Sequence, residues 1–417
     1  MQKIWVEGGK PLVGEINIHG AKNALLPILA AALLINGVST IHNVPNLSDT
    51  AASLNILKRF GAKIKQEGNT LIIDTADVNC ANITEDLTAA MRSSITFLGA
   101  MLTRFNKADL AYPGGCKLGP RPIDIHLDAL IKMGAKFENS DDNIVAHGAL
   151  RGAKIVLPIA SVGATENIIL AAALAKGKTK IHNAAKEPEI IDLANFLNSA
   201  GAKISGAGTS TITIDGVRNL RSTEYAIMPD RIAATTYLAA AAMTKGDVTI
   251  NNISQDILAA SLIAFKEMGC DLNIKDNSIR LKSTGRLNPL VDIKTAVYPG
   301  FATDVQPLFL ACTTLAAGAS KFTETIFENR FSINDELLKF GADVQTDEQV
   351  AKINGVKSLV GANCEAKDLR GAAALAITAL AAEGESIISN VHFIDRGYEN
   401  FEKNLKDLGA KIARFET

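Results

Sequence analysis

The sequence predicts an α/β protein of two globular domains, each holding three copies of one structural repeat. Three observations carry that expectation. A segment of the form LxxxGAKI recurs six times, an Ala/Leu-rich helix lies upstream of it in each copy, and 417 residues suffice for two or three domains.

The recurring segments are LKRFGAKI, LIKMGAKF, LNSAGAKI, FKEMGCDL, LLKFGADV and LKDLGAKI. Their glycines are Gly61, Gly134, Gly201, Gly269, Gly341 and Gly409, spaced by 73, 67, 68, 72 and 68 residues. Each glycine stands where a left-handed residue would end an amphipathic helix, and an apolar strand comes next. A second strand follows in most copies, as in TLIID, NIVAHG, STITIDG and SIRLKS. Upstream come the Ala/Leu-rich helix, a glycine turn and another strand, as in AALLINGVSTIHNV, AALAKGKTKIHNAA and AAAMTKGDVTINNI. Each copy therefore reads βαβαββ. That unit is longer than most solenoid repeats, and six copies suit two sets of three better than one array.

Composition excludes several classes. The chain is 47% hydrophobic but only 5% aromatic, so its core is built from Ala, Leu, Ile and Val. A net charge of −1 gives no global attraction to nucleic acid or a membrane surface. The five cysteines (Cys80, Cys116, Cys270, Cys312 and Cys364) form no C-x-x-C pair, which points away from disulfides and structural zinc and toward a reducing compartment. The longest apolar run, ALLPILAAALLI from position 24 to 35, falls short of the roughly 20 residues of a membrane span and reads as a buried helix. GKT at 177–179 resembles the end of a phosphate-binding loop, but Ala172 replaces the required earlier glycine and the segment links helix to strand.

The repeat carries unusual charges where its first helices begin. The matched starts are GAKNALL (Lys22), AMRSSIT (Arg92), SVGATEN (Gly163), PDRIAAT (Arg231), ATDVQPL (Asp304) and DLRGAAA (Arg370), spaced by 70, 71, 68, 73 and 66 residues. Helix N-termini carry unpaired N–H groups and partial positive charge, so they favour Asp and Glu. Four of these six carry Lys or Arg instead, an arrangement that calls for an anion at the site. The approaches to the second helices add GPRPIDIH (Arg121, Asp124), KEPEIID (Glu187, Glu189), FENRFS (Arg330) and IDRGYE (Arg396). A substrate with several negative charges is expected. The segment YPGGCKLGPRP, 112–122, sets Cys116 among glycines, prolines, Lys117 and Arg121, a turning cationic loop in which a thiol is activated. Asp304, a carboxylate among cationic helix starts, is a candidate acid or base.

The motifs GAKNALLPILAAALL, PGGCKLGPRPIDIH, SVGAT, EPEIIDLANFL, MPDRI, FATDVQ, FENRF, DLRGAAA and HFIDRGYE resemble the UDP-N-acetylglucosamine enolpyruvyl transferases, in order and over essentially the whole chain. The related EPSP synthases share the six-unit fold but lack the cysteine loop, which makes transfer to shikimate 3-phosphate the weaker alternative. A retired relative that only binds UDP-sugar would be expected to lose Cys116 or Asp304, and both are present. The resemblance implies an inside-out α/β barrel of six βαβαββ repeats, three per domain. One domain would comprise 1–21 and 229–417; the other, 22–228, would carry the cysteine loop as a mobile lid.

The implied reaction moves the enolpyruvyl group of phosphoenolpyruvate to the 3′-hydroxyl of UDP-N-acetylglucosamine by addition–elimination, releasing phosphate. It is the first committed step of peptidoglycan precursor synthesis, a cytoplasmic activity that uses no cofactor or metal. By motif, the catalytic residues are Cys116, Asp304, Lys22 and Arg396. Cys116 acts as the acid near C3 and as the covalent target of fosfomycin, and Asp304 receives or relays the hydroxyl proton. Phosphoenolpyruvate is held by Lys22, Asn23, Arg121, Arg330, Arg370 and Arg396. The UDP-sugar is held by Asn23, Arg92, Arg121, Pro122, Ile123, Asp124, Ile125, Ser161, Val162, Gly163, Asp304 and Ile326. Two departures bear on UDP-sugar affinity: Thr96 stands where some members carry tryptophan, and Ile159 where some carry lysine.

Overall fold

A computed structural model describes residues 2–89, 91–112, 123–138, 140 and 142–416. These form two compact units, one of 2–19 with 229–416 and one of 20–112 with 123–228. Each unit has its own hydrophobic core.

Every unit contains three four-stranded sheets with the same internal order. In the third repeat, Lys154–Val156 pairs in parallel with Lys178–His182, which pairs antiparallel with Thr211–Asp215, and Ile204–Ser205 closes the edge. The spatial order is thus first, second, fourth, third strand. A parallel pair needs a long crossover, and the first helix of the repeat supplies it. Strands such as Val38–His42, Thr70–Asp74 and Asp247–Asn251 alternate buried and half-buried residues, so one face of each sheet lies on the core.

The first helices form the interior. They are Lys22–Ala32, Phe97–Phe105 and Val162–Ala173 in one unit, and Arg231–Met243, Gln306–Thr313 and Leu369–Ala381 in the other. Ile232 through Met243 are buried without exception, as are Arg370 through Leu380. A helix apolar on all sides belongs inside, and the three in each unit contact one another beneath the sheets. This is the inside-out α/β barrel, helices within and sheets without.

Two kinds of exchange complete the sheets. Val13–Asn17 pairs with Asp247–Asn251, although the helix that follows it, Lys22–Ala32, belongs to the other unit. Reciprocally, Thr223–Ala226 pairs with Val38–His42, and the next helix, Arg231–Met243, lies in the first unit. Each crossing therefore separates the first strand of a repeat from its helix. Among the described residues, the sixth repeat shows no second hairpin strand of its own. The N-terminal strand Gln2–Glu7 fills that place, antiparallel to both Glu385–Ser389 and Lys411–Glu416.

The six repeat glycines behave as their sequence position predicts. Their φ values are +100, +103, +101, +85, +82 and +93°. In each case the following N–H reaches the carbonyl five residues back, as in Ala62 to Leu57 at 3.0 Å and Ala410 to Leu405 at 2.9 Å. A second device was not anticipated. Asn43, Asn183, Asn252 and Asn390 follow second strands in the left-handed conformation. Their side-chain amides donate to the carbonyls of Ile227, Leu157, Ile18 and Ala366, tying each second strand to the end of the first.

Candidate active site

In the unit of 2–19 and 229–416, three of the predicted residues converge. Asp304 accepts from Arg330 Nη2 at 2.8 Å through Oδ1 and from Arg370 Nη2 at 3.3 Å through Oδ2. Both arginines are buried, whereas the Asp304 side chain keeps 29% of its exposure. Burial alone would raise the Asp304 carboxyl, but Arg370, Arg330 and Arg231 outweigh it and hold the group well below the usual carboxylate range. Burial likewise works against charge on Arg370, and Asp304 and Tyr398 reverse that, keeping it protonated. Arg370 also lies over the Tyr398 ring at 5.6 Å and hydrogen-bonds the Tyr398 side chain, while its Nη1 is buried with no hydrogen-bond partner among the described residues. A buried guanidinium nitrogen left in this state is a ready anion contact.

Thr303 binds the second arginine. Its carbonyl accepts from Arg330 Nε at 3.0 Å and Nη2 at 2.9 Å, and Arg330 Nη1 lies 3.7 Å from Asp368. Asp368 in turn caps the helix Leu369–Ala381, its Oδ1 accepting from the N–H groups of Arg370 and Gly371. Asp230 caps Arg231–Met243 in the same way. These caps correct one step of the sequence argument. Two of the cationic helix starts follow an aspartate that already satisfies the helix end, so the cations there do not oppose an uncompensated N-terminus. Asp304 is also displaced from expectation. It lies two residues ahead of Gln306–Thr313 and is held by arginines rather than by helix N–H groups. In the same unit a cavity is lined by Arg231, Ser261, Tyr298 and Val305, with Arg231 over the Tyr298 ring at 5.7 Å. Ile326 is 40% exposed in the turn leading to Arg330, and Arg396 is half-buried at the end of the 3₁₀ turn Val391–Arg396.

In the unit of 20–112 and 123–228, Lys22 opens its helix and pairs with Asp49 at 2.7 Å, both side chains under 10% exposed. The half-buried Asn23 is next to it. Ser161 caps Val162–Ala173 by accepting from Ala164 N–H. A Cβ on Gly163 would stand 3.1 Å from His126 Cε1, so glycine permits that ring to approach the helix start. Asn167 donates to His126 Nδ1 at 2.9 Å and to the Ile95 carbonyl, and accepts from Gly99 N–H. Asp124 is exposed in the first turn of Asp124–Lys132, flanked by half-buried Ile123 and Ile125. Thr96 is buried and Ile159 is 61% exposed. Cys116, Lys117, Arg121, Pro122 and the side chain of Arg92 lie outside the described residues.

Sequence reasoning missed Asp49, Thr303, Asp368 and Tyr398. Only Asp368 carried a local signal, an acidic residue directly ahead of a helical run. No helix among the described residues is long and apolar enough to cross a membrane.

A family model for EPSP synthase (3-phosphoshikimate 1-carboxyvinyltransferase) matches residues 6–405. UDP-N-acetylglucosamine 1-carboxyvinyltransferase 2 of Caldanaerobacter subterraneus is 49% identical, with 99% of this chain and 100% of the relative covered. UDP-N-acetylglucosamine 1-carboxyvinyltransferase of Coxiella burnetii is 46% identical, covering 99% and 96%. Among solved structures, the enolpyruvyl transferase NikO of Streptomyces tendae aligns over 100% of this chain and 99% of that one at 24% identity with a TM-score of 0.90. EPSP synthase of Acinetobacter baumannii aligns over 100% of both at 19% identity and 0.80. The repeat architecture and the full-length relatives agree: the chain belongs to the EPSP synthase family, among its UDP-N-acetylglucosamine 1-carboxyvinyltransferases.

Proposed function

We propose that the protein transfers the enolpyruvyl group of phosphoenolpyruvate to the 3′-hydroxyl of UDP-N-acetylglucosamine, releasing phosphate, as a cytoplasmic step of peptidoglycan precursor synthesis. The full-length relatives support this reading. The observation that carries its chemistry is the Asp304–Arg330–Arg370 cluster, with a buried guanidinium nitrogen still open to an anion.

In the addition step, the sugar oxygen bonds to C2 of phosphoenolpyruvate while C3 takes up a proton. In the elimination step, C3 loses a proton, the C2–O bond to phosphate breaks and the double bond re-forms. Asp304 accepts the hydroxyl proton and Cys116 supplies the proton to C3. Lys22, Arg121 and Arg396 hold the phosphate, Arg330 and Arg370 the carboxylate, with Asn23 alongside. Arg92, the segment 121–125, Ser161, Val162, Gly163 and Ile326 hold the UDP-sugar. The domains assigned from the sequence, 1–21 with 229–417 and 22–228, then divide the work: the first supplies Asp304 and its arginines, the second Lys22 and the cysteine loop.

The electrostatics favour an ordered use of Asp304. A carboxylate held far down by three arginines is a weak base. A substrate carboxylate bound at Arg370 draws on the same positive charge and restores basicity when both substrates are present. Phosphate release measured with UDP-N-acetylglucosamine and shikimate 3-phosphate side by side tests the reading. Release is expected only with the UDP-sugar, and turnover with shikimate 3-phosphate alone would refute it.

A further inference from the structure

A buried carboxylate outside the assigned site residues stands behind the cluster. Glu324 follows the strand Ala319–Thr323 and is fully buried. Its Oε1 accepts from Thr295 Oγ1 at 2.9 Å, Ile326 N–H at 2.7 Å and Phe327 N–H at 3.2 Å. Its Oε2 accepts from Thr303 Oγ1 at 2.9 Å. Four donors from three segments thus meet on one carboxylate, a dense use of a charged group, since hydrogen bonds to charge are the stronger kind.

Two of those segments lead to residues assigned to substrate. Ile326 is held directly through its N–H. Thr303 precedes Asp304 and is fixed at both ends, its hydroxyl on Glu324 and its carbonyl under the Arg330 guanidinium. Thr295 is drawn into the same knot, donating to Glu324 while accepting from Thr325 N–H at 2.8 Å. A buried glutamate that only closed its own turn would need the Ile326 and Phe327 contacts and nothing else. The reach to Thr303, 21 residues away in sequence, serves the Asp304 turn.

We propose that Glu324 is a positioning residue for the reaction: through Thr303 it fixes the Asp304 carboxylate and the Arg330 guanidinium in their working geometry. This rests on the reading of Asp304 as the base. Displacing a reacting group by about 1 Å can cost about 10²-fold in rate.

The test cuts the latch without touching Asp304. Thr303→Val keeps the branched shape and removes the hydroxyl, and Thr303→Ser keeps the hydroxyl. Thr303→Val is expected to lower kcat roughly 10–100-fold while both KM values stay within about 3-fold. Thr303→Ser should stay within about 3-fold of wild type in kcat, on the same basis that it preserves the hydrogen bond. A merely structural latch would lower the melting temperature but leave kcat per folded enzyme unchanged, and that result overturns the proposal. So would a serine variant as slow as the valine one. Should Thr303→Val fail to fold, Thr303→Ala removes the hydroxyl without placing a second methyl against Oε2, and its kcat decides the matter. Asp304→Asn, run in parallel, separates the two claims. Wild-type turnover in that variant sinks the base assignment, whereas an inactive Asp304→Asn beside a fully active Thr303→Val sinks the latch alone.

Discussion

Asp304→Asn removes a carboxylate shared by Arg330 and Arg370 while keeping its shape. Two consequences follow, on different scales. Breaking a fully buried ion pair costs about 3–5 kcal/mol. Asp304 retains 29% exposure, so solvent screening brings the expected loss to about 1–2 kcal/mol. For a unit of this size each kcal/mol moves the melting temperature by about 2–4 °C, so a fall of roughly 2–8 °C is expected. The folded carboxyl ionises at lower pH than the ordinary value of 3.8. Its contribution is therefore complete above that value and fades as pH drops toward the folded one, so the gap between variant and wild type should close in acid. Turnover is the larger effect: loss of a general base lowers kcat by about 10²–10⁴-fold. Scanning calorimetry with and without phosphoenolpyruvate separates the two. The substrate anion supplies negative charge to the same arginines, so it should raise the melting temperature of Asp304→Asn more than that of wild type. Wild-type turnover in the variant, or equal stabilisation of both proteins by the substrate, would refute this reasoning.

Two further outcomes are expected. Glu166 is buried, and burial, then Glu189 and Glu187, push its carboxyl well above 4.5; Asp192 is pushed to about 6, chiefly by burial. Both groups keep their protons in the folded chain after the unfolded chain has released them. Stability therefore falls as pH rises from about 4, at up to about 1.4 kcal/mol per pH unit for each such group, until the folded carboxyl also ionises. Glu166→Gln should flatten this decline in denaturant titrations at pH 5 and 8, and an unchanged slope would show that Glu166 is not its source. Fosfomycin should label Cys116 and spare the buried thiols, because burial pushes Cys270 and Cys364 up to about 12 and Cys312 well above 9.0. A peptide map with the label on any of those three contradicts the assignment.

What the sequence revealed was chemistry that repeats locally. The C′ glycines at 61, 134, 201, 269, 341 and 409 are legible because one residue type meets one backbone need, and all six adopt positive φ. Apolar first helices are legible because alanine and leucine surround them on every side. The partnerships were not. Asp304 meets Arg330 within its own copy and Arg370 from the next, 26 and 66 residues away, and Lys22 meets Asp49 within one copy; neither the spacing inside a copy nor that between copies specifies which side chains pair. The same holds for the sixth sheet, whose missing strand comes from the opposite end of the chain. The cationic helix starts were read correctly as unusual, but their compensation by Asp230 and Asp368 needed the cap geometry. Glu324 was passed over because a carboxylate in the run FTETIF has no local mark to separate a buried knot from a solvated charge.

The central claim is enolpyruvyl transfer by addition and elimination, and mass spectrometry of the UDP-sugar product formed in D₂O tests it most directly. Addition turns C3 of phosphoenolpyruvate into a methyl group carrying solvent hydrogen, and elimination returns it to a vinyl carbon. The account predicts a UDP-N-acetylglucosamine product bearing an enolpyruvyl ether with deuterium on its vinyl carbon, formed one for one with phosphate. Phosphate release with the UDP-sugar unchanged, or an enolpyruvyl product free of deuterium, would contradict it.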